Sequence, residues 1–125
     1  MFKANHVPVL MYHHVSHCPG LVTLSPETFR KQMKWLAENN WKALSSDELE
    51  FFYRGGKLPR KSVMLTFDDG YLDNWFQVYP LLNEFNLKAH IFLITSFIGN
   101  GPVRHSPGKE YSCLLYTSPS PRDPK

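Results

Sequence analysis

Residues 7–15 (VPVLMYHHV) form a short, nearly unbroken apolar run that turns polar at its end. A strand buried on both faces, as in a parallel sheet covered by helices, has this pattern. Pro19-Gly20 breaks the run. Ser25-Pro26-Glu27 then follow in the order of an N-cap, a proline at the first helical position and an acid in the first turn. Behind them Phe29, Met33, Leu36, Ala37 and Asn40 recur at helical spacing, four of the five apolar, which predicts an amphipathic helix over 26–40. Residues 41–44 read as a second short strand. Ser45 and Glu48 spell a capping box that opens a helix running to residue 54 and stopping at Gly55-Gly56.

Residues 62–67 (SVMLTF) are another β-rich buried run, ending abruptly at Asp68-Asp69-Gly70. A helix is predicted over 72–85, where Trp75, Phe76, Tyr79, Leu82 and Phe85 are apolar and Pro80 should kink or divide it. Residues 88–95 (KAHIFLIT) close the series as a strand. Strands and helices alternate throughout, which points to an α/β protein with a parallel sheet or barrel built from right-handed crossovers. After Gly99 the periodicity stops, and residues 99–125 hold five of the ten prolines.

Composition narrows the classes. The chain has 125 residues, enough for one small domain, and at 42% hydrophobic and 14% aromatic residues it can bury a core. Its net charge of +3 is scattered, with no basic run of the kind a phosphate backbone requires, so nucleic acid is not an expected partner. No apolar stretch approaches the roughly 18 residues of a membrane span. No signal-peptide pattern opens the chain, so as it stands it reads as cytoplasmic. Cys18 and Cys113 make neither a disulfide framework nor a metal-type pair.

The sharpest chemical feature is Leu65-Thr66-Phe67-Asp68-Asp69-Gly70. Two carboxylates stand at the C-terminal end of a buried strand, where α/β folds place their active sites. Adjacent residues leaving a strand point in different directions, so one carboxylate can bind a metal while the other faces the metal's water. A protein-bound zinc lowers the pKa of its water to about 7, from about 9 in solution, and a neighbouring carboxylate can then take the proton. The plainer alternative makes Asp-Asp-Gly a loop whose aspartate caps the following helix.

Thr66-Phe67-Asp68-Asp69-Gly70 resembles the first motif of the NodB-homology polysaccharide deacetylases, carbohydrate esterase family four. Tyr12-His13-His14-Val15 is similar to the Tyr-His-x-Val strand of the branch that includes deacetylases of poly-N-acetylglucosamine. The resemblance implies the N-terminal part of a distorted (β/α) barrel over residues 1–104, incomplete because a full parallel barrel takes about 250 residues. By the same resemblance Asp68 is the catalytic base, Asp69 a metal ligand and His13 the general acid. The implied cofactor is a divalent metal, zinc with cobalt or nickel as alternatives. The implied partner is an N-acetylated polysaccharide substrate.

The sequence also departs from the family. His105-Ser106-Pro107-Gly108 begins like the downstream His-Ser/Thr-x-x-His motif, but Lys109 stands where the second histidine belongs. The histidine ligands are therefore expected beyond a truncation, and the chain is expected to be inactive as it stands. Residues 105–125 read as an unstructured, artefactual tail. Its end, CLLYTSPSPRDPK, resembles a translated sequencing adapter.

Remaining features carry structural expectations. His13 and His17 lie four apart, but on a strand followed by a turn they would not share a face, so no metal site is expected from them. His6 and His105 are expected in solvent, and His90 packed or at an edge. Trp35, Trp41, Phe51, Phe52, Trp75 and Phe76 could form a sugar-stacking surface, but their helical spacing favours packing. Asp73 fits the first turn of a helix, where the dipole favours an acid. The function expected is hydrolysis of the amide in N-acetylated sugars. A non-catalytic carbohydrate-binding module and a non-functional truncated product are the alternatives. A metal-dependent phosphoesterase would want a phosphate loop or basic cluster near residue 70, and the sequence has neither.

Overall fold

The computed structural model describes residues 4–95; Cys113, His105, Lys109 and the predicted tail lie outside the described residues. Local signals set most element ends. Two short strands, β1 (Val9–Tyr12) and β2 (His14–Val15), are separated by His13, and β3 (Thr23–Leu24) pairs in parallel with β2. Helix α1 (Pro26–Glu38) opens at Ser25, whose side chain accepts from the Thr28 N–H at 3.2 Å, with Pro26 just inside. It buries Phe29, Met33 and Leu36, the face the spacing predicts.

After β4 (Lys42–Ala43), helix α2 (Ser46–Tyr53) starts with the predicted capping box. The Glu48 N–H donates to Ser45 Oγ at 3.2 Å, and the Ser45 N–H donates to Glu48 Oε1 at 3.0 Å. It stops as predicted. Gly55 takes φ +89°, a left-handed conformation that costs an L side chain but not glycine, and the Gly55 and Gly56 N–H groups cap the carbonyls of Phe52 and Phe51.

Strand β5 (Ser62–Asp68) is the axis of a four-stranded parallel sheet. β1 runs beside it in the register Val9↔Met64 to Tyr12↔Phe67, β4 pairs with Ser62 and Val63, and β6 (His90–Phe92) pairs with Thr66, Phe67 and Asp68. The predicted division at Pro80 is present. A π-helical segment Asn74–Val78 precedes α3 (Tyr79–Glu84), and the Tyr79 N–H reaches back five residues to the Asn74 carbonyl. Widening the turn just upstream makes room for a proline ring that would otherwise press on the carbonyl four residues earlier.

The core joins Phe29 and Met33 of α1 to Leu65 and Phe67 of β5, with Val78, Leu82 and Leu87 closing one side. Arg30 on α1 pairs with Glu84 and lies 5.1 Å over the Phe85 ring, tying α1 to the end of α3.

Two expectations fail. The run 7–15 was expected to be buried on both faces, but Val9 and Met11 of β1 are 57% and 65% exposed. β1 has its pleat covered on one side only; Leu10 and Tyr12 point to the core and no described helix lies over the other face. The aromatic residues expected to pack are also largely outside. Trp35, Phe51, Trp75 and Phe76 are exposed, while Trp41 packs against the core. Helical spacing identifies a face, and whether that face is covered depends on elements elsewhere. Trp75, Tyr79, Ile91 and Leu93 are exposed together along one groove between the π-helical segment and β6, while Phe76 and Phe92 are exposed elsewhere.

Candidate active site

The β1–β5 register decides the site. Tyr12 and Phe67 are partners, so the residues that follow them, His13 and Asp68, leave parallel strands side by side at their C-terminal ends. His13 Nε2 lies 3.6 Å from Asp68 Oδ2, with the side chains 22% and 29% exposed. This is longer than a good hydrogen bond but within reach of one shared reacting group. Beneath them Tyr12 stacks on Phe67 at 5.2 Å, meets the Phe29 edge at 5.2 Å and donates its hydroxyl to Gln32 Oε1 at 2.7 Å. Burial pushes the Tyr12 phenol pKa up, which keeps it a neutral donor.

Asp69 turns away from Asp68. Its φ of +78° is left-handed, uncommon for a side-chain-bearing residue, and Gly70 follows at +65°. Its N–H donates to the Phe92 carbonyl at 2.9 Å, and its Oδ2 accepts from the Tyr71 hydroxyl at 3.0 Å. The two carboxylates thus face different partners, as adjacent residues leaving a strand should. The capping alternative does not describe Asp68, whose carboxylate meets His13 across the sheet.

Sequence reasoning missed the group beneath. Asp73 does stand at the start of the helical segment, as expected, but its carboxylate is turned inward and makes no capping bond. His14 Nδ1 and the Val15 N–H meet Asp73 Oδ2 at 3.0 and 3.2 Å, and Asn74 Nδ2 donates to Asp73 Oδ1 at 2.9 Å. A buried carboxylate persists only when bonded in this way. His14 also stacks on Tyr71, with ring centroids 3.4 Å apart. The available signal was a second histidine inside an apolar run, where a polar side chain needs a partner.

Of the other described histidines, His6 and His90 fall as expected. His17 pairs with Glu27 at 3.3 Å in solvent, away from His13; His6 is exposed; His90 bonds the Leu44 carbonyl at 3.0 Å. Among the described residues no group of three or more His, Cys, Asp or Glu side chains comes together to hold a metal. A catalytic zinc takes three protein ligands, so Asp69 with its described neighbours does not fit that ion. A groove of about 500 Å³ runs beside the π-helical segment and is lined by Tyr71, Trp75, Val78, Leu82 and Leu93, but neither His13 nor Asp68 lines it. No described helix is long and apolar enough to cross a membrane.

The parallel sheet thus brings a carboxylate and a histidine side by side at the ends of adjacent strands. Residues 55–110 match the sequence profile of the polysaccharide deacetylase family. The matched segment covers a little under half of the chain, and it includes Asp68 and Asp69. It is 39% identical over 99 residues to YxkH of Bacillus subtilis (strain 168), named as a polysaccharide deacetylase, covering 78% of this chain and 35% of that protein. It is 39% identical over 69 residues to the poly-beta-1,6-N-acetyl-D-glucosamine N-deacetylase of Escherichia coli (strain K12), covering 54% of this chain and 10% of the relative. In three dimensions it resembles IcaB from Ammonifex degensii, with TM-score 0.73 and 26% identity, over 90% of this chain and 44% of that one. Streptococcus pyogenes deacetylase PplD gives TM-score 0.65 and 27% identity over 75% and 43% of the two chains. The chain thus spans about a third of the length of YxkH, the first of these relatives. The fold is that of an incomplete deacetylase barrel, as expected.

Proposed function

We propose that this chain supplies the base and the acid of an enzyme that hydrolyses the N-acetyl groups of a polysaccharide. Asp68 takes a proton from the water that attacks the amide carbonyl. The C–N bond of the tetrahedral intermediate then breaks, and protonated His13 gives its Nε2 proton to the leaving amine, releasing acetate. The observation that carries this reading is the 3.6 Å approach of His13 Nε2 to Asp68 Oδ2, which lets both groups reach one tetrahedral carbon's substituents. The name of the Escherichia coli relative supports an N-acetylated glucosamine polymer as the substrate.

A divalent metal, zinc with cobalt or nickel as alternatives, belongs to the proposal through Asp69. The described residues add no further ligands to complete such a centre, so no step is routed through it. Because it spans about a third of the length of YxkH, the 125-residue chain alone is expected to be inactive. The test is acetate release from N-acetylglucosamine oligomers by the complete barrel that carries this sequence. Asp68→Asn and His13→Gln should each lower kcat by about 10²–10⁴, the range of a lost general base or acid. An Asp68→Asn variant with undiminished kcat would overturn the assignment.

A further inference from the structure

We propose that Asp73 is a positioning residue that, through His14, Val15 and Asn74, fixes where His13 stands against Asp68; this rests on the base-and-acid reading above. His13 occupies the one residue between β1 and β2, where the chain leaves its pairing with β5 and takes up pairing with β3. Sheet bonds hold Tyr12 on one side and His14 on the other, so His13 itself needs a different anchor.

That anchor is the dipeptide Asp73-Asn74. Each of the three residues 13–15 is bonded to it: the His13 carbonyl accepts from Asn74 Nδ2 at 3.1 Å, His14 Nδ1 meets Asp73 Oδ2 at 3.0 Å, and the Val15 N–H donates to Asp73 Oδ2 at 3.2 Å. Asp73 Oδ1 holds the Asn74 amide at 2.9 Å. The orientation of Asn74 is forced. Turning the amide over would set its oxygen against two acceptors, and the orientation kept leaves Asn74 Oδ1 with no hydrogen-bond partner among the described residues. Asp73 is 3% exposed and Asn74 4%. These bonds are therefore not exchanged for water, and the segment is held from the start of the helical segment whose first residue, Asn74, lies six residues beyond Asp68. One rigid connection thus carries both members of the pair.

The mechanism depends on that placement, because an error of about 1 Å in a reacting group can cost 10²-fold in rate. Asp73→Asn retains the shape, but with its one oxygen turned to His14 and Val15 its NH2 faces Asn74 Nδ2, donor against donor, which unseats the amide that holds the His13 carbonyl. Neither Asp73 nor Asn74 is placed among the groups that touch substrate. A lost position should appear in kcat and leave KM unchanged.

The experiment uses the complete barrel carrying this sequence and N-acetylglucosamine oligomers, with a thermal melt on every variant. Asp73→Asn should lower kcat at least tenfold with KM within twofold. In the His13→Gln background the same substitution should change the residual kcat less than twofold, because its effect passes through His13. Asn74→Leu, which fills a similar volume, should lower kcat in the same way, and it decides the matter if Asp73→Asn does not fold. A folded Asp73→Asn with kcat within twofold of the parent overturns the inference, as does an equal loss in both backgrounds, which would mark general structural damage. If Asp68→Asn and His13→Gln are themselves fully active, the base-and-acid reading fails first and takes this one with it.

Discussion

Tyr12 and Phe67 are register partners on β1 and β5 whose rings stack at 5.2 Å and 21°, and the residues that follow them are His13 and Asp68. The aromatic pair is thus the floor of the site as well as part of the core. Phe67 is fully buried.

Phe67→Ala should lower the unfolding free energy by about 3–5 kcal/mol, the cost of emptying an aromatic core position. Tyr12→Phe, which loses only the bond to Gln32 and keeps the stack, should cost about 1 kcal/mol. Urea unfolding of both variants measures the difference. Equal losses would mean that the ring stack contributes nothing beyond the hydroxyl.

At Gly70 two effects can be separated. A Cβ there would meet Leu93 Cδ2 at 2.6 Å, and the φ of +65° is left-handed. Leu93 is half exposed and its methyl can swing away, so the backbone should dominate. Gly70→Ala is expected to destabilise by about 1–2 kcal/mol from conformation alone. Leu93→Ala made in that background should recover little of it, which paired denaturation curves will show. Full recovery would assign the cost to the clash.

Glu48 links α2 to β4 electrostatically. Burial opposes its ionisation, but the Lys42 ammonium at 2.7 Å and the bonds from Ser45 outweigh that and hold its carboxyl at about 2. The folded pKa lies below the model-compound value of 4.5, so the carboxylate stabilises the fold fully above pH 4.5. That stability is lost as pH falls from 4.5 towards 2. With Lys42 half in solvent, screening should reduce the contribution to the order of 1 kcal/mol. Stability against pH for the parent and Glu48→Gln should differ above pH 4.5 and converge near pH 2; parallel curves would contradict this.

Trp75, Tyr79, Ile91 and Leu93 are half-exposed and line one groove beside the π-helical segment. Contiguous apolar surface of this kind drives association. The 125-residue chain by itself should enlarge with concentration in light scattering and bind a hydrophobic dye. Ile91→Lys with Trp75→Lys should reduce both. A parent chain that stays monomeric and binds no dye would show the surface to be harmless.

The sequence revealed what neighbouring residues decide among themselves. Ser25 with Pro26, the Ser45–Glu48 box and Gly55 mark helix ends through bonds spanning a few positions, and Pro80 announces a break through its own ring. The Asp68–Asp69–Gly70 turn was visible because a buried run stops there. What stayed hidden depends on distant covering. The open face of β1 and the exposed Trp35 follow from which helices lie nearby, and periodicity does not carry that information. Asp73 was misjudged for a related reason: an acid in a first helical turn looks self-explanatory, and only the fold brings His14, 59 positions earlier, to within 3.0 Å.

Asp69 and Gly70 reverse the usual backbone handedness in two successive residues. An inserted residue at this corner would rotate every following side chain and pull Tyr71 off Asp69, so its length should be fixed in any descendant that keeps the chemistry. Variation in what the protein accepts must then come from other segments that leave the C-terminal ends of the strands. Directed libraries aimed at new specificity are better spent on those segments than on the corner itself.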